Sequence, residues 1–188
     1  MLNGVFFVCL SLSLYSAGSS LSCRWMNHKY RELSEKSLDL IDTMANNSTN
    51  TTEDAEVDFP NHLYNQASKA SAEDKLHFTV QVLEEIVSLF EEDHSNASWE
   101  NKEENFLHVV TQQVEGLHSC VSLKSIHSTC GNQGHKKKNK KLHMYFKRLS
   151  SHVLEKMGHS AESWELIRKE MKTHLIRADL LALSLLTN

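Results

Sequence analysis

The sequence predicts an all-α protein: an up-up-down-down four-helix bundle with an additional, fifth helix in its second crossover. Three observations carry this expectation. Five segments repeat their apolar residues with the period of a helix. Gly is scarce and Pro60 is the single proline, a composition that favours long helices over a turn-rich sandwich. The connections also alternate long, short, long, and a long connection can return along a bundle and place two helices parallel.

Ahead of the first helix, Val5 to Tyr15 is an almost unbroken apolar run containing Cys9, followed by Ala17-Gly18-Ser19-Ser20-Leu21-Ser22. Ser20 and Ser22 around Leu21 outline a secretory cleavage site, so residues 1–22 read as a signal peptide and 23–188 as one mature helical domain. The run is a weak form of the pattern, with no Lys or Arg before the apolar stretch. A membrane anchor is the competing reading, but a span needs about 20 apolar residues and the serines intervene too early. The protein is therefore expected outside the cell, with no stable membrane insertion after cleavage. The formal charge of −4 falls wholly on the mature part, which predicts solubility and argues against a nucleic-acid partner.

The first helix is expected from about Arg24 to Ala45, with Tyr30, Leu33, Leu40, Ile41 and Met44 on one side. The second, Ala72 to Glu92, repeats Leu76, Val80, Leu83, Val87 and Phe90. Ser71 is placed to cap it, and Asp74 suits its positive end. The third spans about Lys102 to Leu123 through Phe106, Val110, Val114, Leu117 and Val121. The fourth, Lys140 to Met157, carries Leu142, Phe146, Leu149, Val153 and Met157, and Gly158 is suited to end it in a left-handed conformation. Ser160 or Ser163 then caps a fifth helix with the stripe Trp164, Ile167, Met171, Leu175, Ala178, Leu181 and Leu185. These stripes read as core. Asn46 to Ser71 is a long first connection and Asp93 to Asn101 a short second one; the fourth helix serves as the long return between the third and fifth. Such a topology is associated with helical cytokines, an association at the level of fold alone.

Cleavage leaves Cys23, Cys120 and Cys130. In an oxidising compartment one pair should close and one thiol remain. The topology puts Cys23, at the start of an up helix, and Cys120, near the end of a down helix, at the same end of the bundle, which favours bridging them. Cys120 with Cys130 across the following loop is the alternative. In the favoured pairing Cys130 is the free cysteine; a monomer is expected, with dimerisation through Cys130 left open.

Asn46, Asn47, Asn50 and Asn96 each begin an Asn-x-Ser/Thr sequon, all in expected connections. Adjacent Asn46 and Asn47 are too close to be modified together. Lys136 to Lys141 forms a dense basic patch that reads first as a solvated loop entering the fourth helix, with an acidic polysaccharide or acidic receptor face as the functional alternative. The histidines are scattered, with no His-Glu-x-x-His or paired Cys-x-x-Cys motif, so no metal is expected. His94 after Glu91-Glu92-Asp93 reads as an exposed helix end. Ser163 lacks a Gly-x-Ser-x-Gly elbow, and no glycine-rich phosphate loop exists. Neither a catalytic activity nor a cofactor is expected.

Cys23-Arg24-Trp25, Tyr30-Arg31, Ser37-Leu38-Asp39-Leu40, Leu117-His118-Ser119-Cys120 and Trp164-Glu165-Leu166-Ile167-Arg168 together resemble the type I interferons of bony fishes over essentially the whole chain. Trp164-Glu165 matches the end of a family signature, Cys-Ala-Trp-Glu, that opens the last helix. Glu162 stands where that signature has its cysteine, so one partner of a second bridge is missing and the chain resembles the two-cysteine fish group, with Cys130 an addition. The resemblance implies a five-helix interferon-like fold and a Cys23–Cys120 bridge. It also implies an antiviral cytokine that engages two class II cytokine receptor chains and triggers JAK-STAT signalling. Family contacts fall on the first helix, the connection after it and the last helix. Arg168 is accordingly the first contact expected, with Lys172 next and Arg31 and Glu35 behind them; Trp164 is expected as a core anchor. The alternative is another secreted four-helix cytokine with a different receptor and an immune or growth activity, with a structural carrier third.

Overall fold

The computed structural model describes residues 25–45, 57–92, 94, 95, 97, 99, 102–127 and 139–186. Among these, six α-helices form the fold: α1 (Arg31–Thr43), α2 (Asn61–Ser68), α3 (Ala72–Phe90), α4 (Lys102–His127), α5 (Lys140–Leu149) and α6 (Ala161–Leu183). A π-helical turn, Met26–Tyr30, leads into α1, and a second, Ser150–Glu155, continues α5.

Side-chain pairs fix the directions. Gln113 of α4 donates to the Leu33 carbonyl of α1 while Lys102, at the other end of α4, reaches the Thr43 carbonyl, so α1 and α4 are antiparallel. Ser34 meets Asp179 and Asp42 meets Lys172, which makes α6 antiparallel to α1. Glu84 with His118 and Phe90 with Phe106 set α3 against α4 in the same sense. Hence α1 and α3 run one way and α4 and α6 the other, the expected up-up-down-down order. Asn139 with Gln81 and His143 with Glu85 lay α5 parallel to α3, as a return between two down helices requires.

Local chemistry explains the boundaries. Ser71 Oγ accepts the Asp74 amide at the start of α3, Asn139 Oδ1 accepts the Lys141 and Leu142 amides at the start of α5, and Ser160 Oγ accepts the Ser163 amide at the start of α6. The α5 cap offsets the unfavourable placement of Lys140 and Lys141 at a positive helix end. Gly158 (φ 62°) and His159 (φ 52°) are both left-handed, and the His159 amide returns to the Leu154 carbonyl, which stops the helix.

Two departures from the sequence reading have physical causes. The first connection contains α2, where Leu63, Tyr64 and Ala67 are buried. And the π turn after α5 adds a residue to the repeat, so Leu154 joins Val153 in the core while Met157, expected on the stripe, is exposed.

An aromatic cluster fills the core where α3 ends and α4 and α6 begin. Trp164 is fully buried, with Trp99 edge-on at 5.3 Å and Phe90 at 6.0 Å; Phe90 in turn packs on Phe106 at 5.2 Å. Trp99 fastens the short second connection to this cluster. At the opposite end, the Trp25 ring occupies the space beside Gly116, where a Cβ would fall 1.9 Å from it. One turn beyond Gly116, Cys120 is buried.

Candidate functional site

The candidate contact residues converge on the seam between α1 and α6. Arg31 and Glu35 lie one turn apart on α1, 3.8 Å from each other, with side chains 66% and 74% exposed. Both act on Asp179 of α6: burial pushes its carboxyl above the ordinary carboxylate range, the Ser34 hydrogen bond and Arg31 oppose that shift, and Glu35 adds to it. About two turns away along the same seam, Lys172 Nζ binds both carboxylate oxygens of Asp42, at 2.7 and 2.8 Å, with its side chain 38% exposed. The outer face of α6 then presents Lys169, Thr173, Ile176 and Leu180 to solvent, and Leu180 is 60% exposed. The result is a mixed surface: two ion pairs bordering an apolar step.

Arg168 is not on that surface. Expected as the first receptor contact, the residue is only 6% exposed. Its Nε and Nη2 donate to the two Glu165 carboxylate oxygens at 2.8 and 2.6 Å, and Nη1 donates to the Ile41 carbonyl at 3.1 Å. Its phase carried the signal. Arg168 follows Trp164 by four residues and precedes Met171 and Leu175 by three and seven, so it falls in the core stripe of α6. A charge at such a position demands a partner, and Glu165 at i−3 supplies it.

His174 sits in no motif that marks it in the sequence. It is fully buried on α6, and its Nδ1 lies 2.6 Å from the Tyr64 hydroxyl of α2. Phe59, Tyr145 and Phe146 surround the ring with centroids at 4.7, 5.3 and 4.9 Å. Burial lowers its pKa to about 3, so the ring is neutral at physiological pH. Beside it the Tyr145 hydroxyl donates to Glu170, and burial together with that carboxylate raises the phenol's pKa. Arg177 lies 5.1 Å from the Tyr64 ring centroid.

His94 stacks on Trp99 at 6.1 Å, and its Nε2 is 3.6 Å from Glu103, rather than standing free at a helix end. A shallow groove of about 230 Å³ between α3 and α4 is lined by Glu84, Val87, Ser88, Glu91, Thr111 and Val114. Among the described residues no group of three His, Cys, Asp or Glu side chains could hold a metal ion, and no helix is long and apolar enough to cross a membrane. Cys23, Cys130, Asn46, Asn47, Asn50, Asn96 and the first half of the Lys136–Lys141 patch, Lys136 to Lys138, lie outside the described residues.

Comparison with known proteins places this architecture. Residues 26–185 match the interferon alpha/beta domain family. The chain is 38% identical over 176 residues to Interferon a3 of Oncorhynchus mykiss, covering 93% of each chain. Its fold superposes on Zebrafish interferon 1 with a TM-score of 0.71 and 30% identity, over 87% of this chain and 99% of that one. Interferons are secreted antiviral cytokines that act by engaging receptors. The chain therefore belongs to the interferon alpha/beta family, among the type I interferons of bony fishes, and is a non-catalytic cytokine.

Proposed function

We propose that the protein is released after loss of residues 1–22 and that its α1–α6 seam binds one of two class II cytokine receptor chains, starting JAK-STAT signalling that induces antiviral genes. The observation that carries this reading is the seam itself, where Arg31, Glu35 and the Lys172–Asp42 pair flank exposed Ile176 and Leu180. Apolar side chains bordered by charges combine the burial that gives affinity with the polar rim that sets register. The opposite seam, between α3 and α4, leaves a separate surface for the second chain, with apolar Val87 and Val114 between Glu84 and Glu91. In this reading Cys23 bridges to Cys120 and Cys130 carries no structural bond. Seating of Trp25 against Gly116, one turn before Cys120, supports that pairing, because it leaves residue 23 two positions from a ring already at that end of the bundle. Occupied sequons, among Asn46, Asn47, Asn50 and Asn96, are proposed to carry glycans.

The test is induction of an antiviral reporter by the purified mature protein on fish cells, with and without each candidate receptor chain. Loss of induction when either chain of one pair is deleted supports the reading. Full induction in cells lacking every class II cytokine receptor chain overturns it.

A further inference from the structure

The last turn of α1 contains no basic residue of its own. Two of its exit carbonyls instead take cations from other helices, which suits the partial negative charge and unpaired C=O groups of a helix C-terminus. The Ala45 amide turns back to Asp42, leaving the Ile41 carbonyl to Arg168 of α6, while the Thr43 carbonyl takes Lys102 of α4. Arg168 is held from behind by both oxygens of Glu165, and its Nη1 also lies 3.9 Å from Asp42 Oδ1. That oxygen is the one Lys172 Nζ approaches to 2.7 Å. A buried guanidinium and a half-exposed ammonium thus share one carboxylate, the first inside the bundle and the second at its surface.

We propose that Arg168 is a positioning residue: from the interior it fixes the end of α1, and through Asp42 it sets where the Lys172 ammonium stands for a receptor. The second half of this inference rests on the α1–α6 seam being the receptor surface; the first half does not. Arg suits this role because two nitrogens of its planar fork hold both Glu165 oxygens while the third reaches a backbone carbonyl, a geometry that the single nitrogen of a lysine ammonium cannot match. The partner recognised through Lys172 is then an acidic side chain on the receptor, reached with Asp42 locked rather than competing for the ammonium in several rotamers.

The experiment is a cycle on the full mature chain: wild type, Lys172→Ala, the apolar pair Glu165→Leu with Arg168→Met, and all three together. Removing both members of a buried ion pair preserves folding far better than removing one, and circular dichroism confirms it. Amide exchange over residues 41–45 and binding of labelled protein to interferon-responsive fish cells are then read. In the apolar pair, exchange at 41–45 is expected to quicken about tenfold and binding to weaken about tenfold. Lys172→Ala alone should weaken binding about fivefold, yet less than about twofold when added to the apolar pair, the non-additivity of residues acting as one unit. Unchanged exchange overturns the clamp. Losses that simply multiply overturn the link to Lys172. If Lys172→Ala leaves wild-type binding intact, the seam reading fails, whereas exchange at 41–45 still decides the clamp. Should the apolar pair not fold, Arg168→Lys runs the same cycle, with intermediate exchange expected and wild-type exchange contradictory.

Discussion

The Tyr64 hydroxyl and Nδ1 of His174 stand 2.6 Å apart inside the protein, and this pair ties α2, within the first connection, to the last helix. Phe59 and Tyr64 from the first long connection and Tyr145 and Phe146 from the second all pack on the imidazole, so both connections meet at one ring. No other described histidine is so enclosed.

Stability should accordingly fall with acid in a defined window. His174 has a folded pKa of about 3 against an ordinary value near 6.5, so the unfolded chain binds the extra proton first. The contribution is full above about pH 6.5 and is lost as pH falls toward 3, amounting to several kcal/mol at about 1.4 kcal/mol per pH unit. Denaturant unfolding from pH 7.5 to 3.5 measures it, and His174→Phe should flatten the slope. An equally steep slope in that variant would place the acid sensitivity elsewhere.

Removing one member of the buried ion pair should be severe. Arg168→Ala strands the Glu165 carboxylate in the core and is expected to cost about 3–5 kcal/mol. Arg31→Ala removes an exposed charge and should cost no more than about 0.5 kcal/mol. Chemical denaturation of the two variants side by side checks the contrast.

Gly116→Ala should destabilise despite improving helix propensity. The gain is about 1 kcal/mol, but the new methyl group meets the Trp25 ring, and displacing a packed ring costs about 1–3 kcal/mol. A net loss near 1 kcal/mol is expected, and Trp25→Ala with Gly116→Ala should recover the propensity gain relative to Trp25→Ala alone. Thermal melts of these three variants and the wild type close the comparison.

Nonreducing peptide mapping should recover Cys23 linked to Cys120, and Cys120→Ser should cost about 2–4 kcal/mol in the oxidised protein. A peptide joining Cys120 to Cys130 would replace that pairing with the loop-closing alternative.

The legible parts of the fold were those with long, regular patterns. Four helices of the bundle and the return helix each repeat an apolar stripe over several turns, and Ser71 and Gly158 punctuate them by side-chain and backbone chemistry that any sequence displays. Helix α2 escaped because its eight residues cover barely two turns, too few for a period to emerge, and its burial depends on Phe78 and His174 from distant segments. The π turn after α5 escaped for a related reason: a single added residue changes the phase, and periodicity assumes that phase constant. At the seam, Arg31, Glu35 and Lys172 were legible as charged residues on the first and last helices. Their proximity to Asp42 and Asp179 required the antiparallel register of α1 and α6. Arg168 illustrates the limit most sharply: residue type suggested solvent and helical phase pointed inward, and burial with Glu165 resolved the conflict in favour of phase.

Binding of the Lys172→Ala, Leu180→Asp double variant to interferon-responsive fish cells tests the seam most directly. Both side chains are accessible, so the melting temperature should stay within about 3 °C of wild type, while affinity falls at least about tenfold and antiviral induction falls with it. A folded variant that binds and induces like the wild type would contradict a receptor surface between α1 and α6.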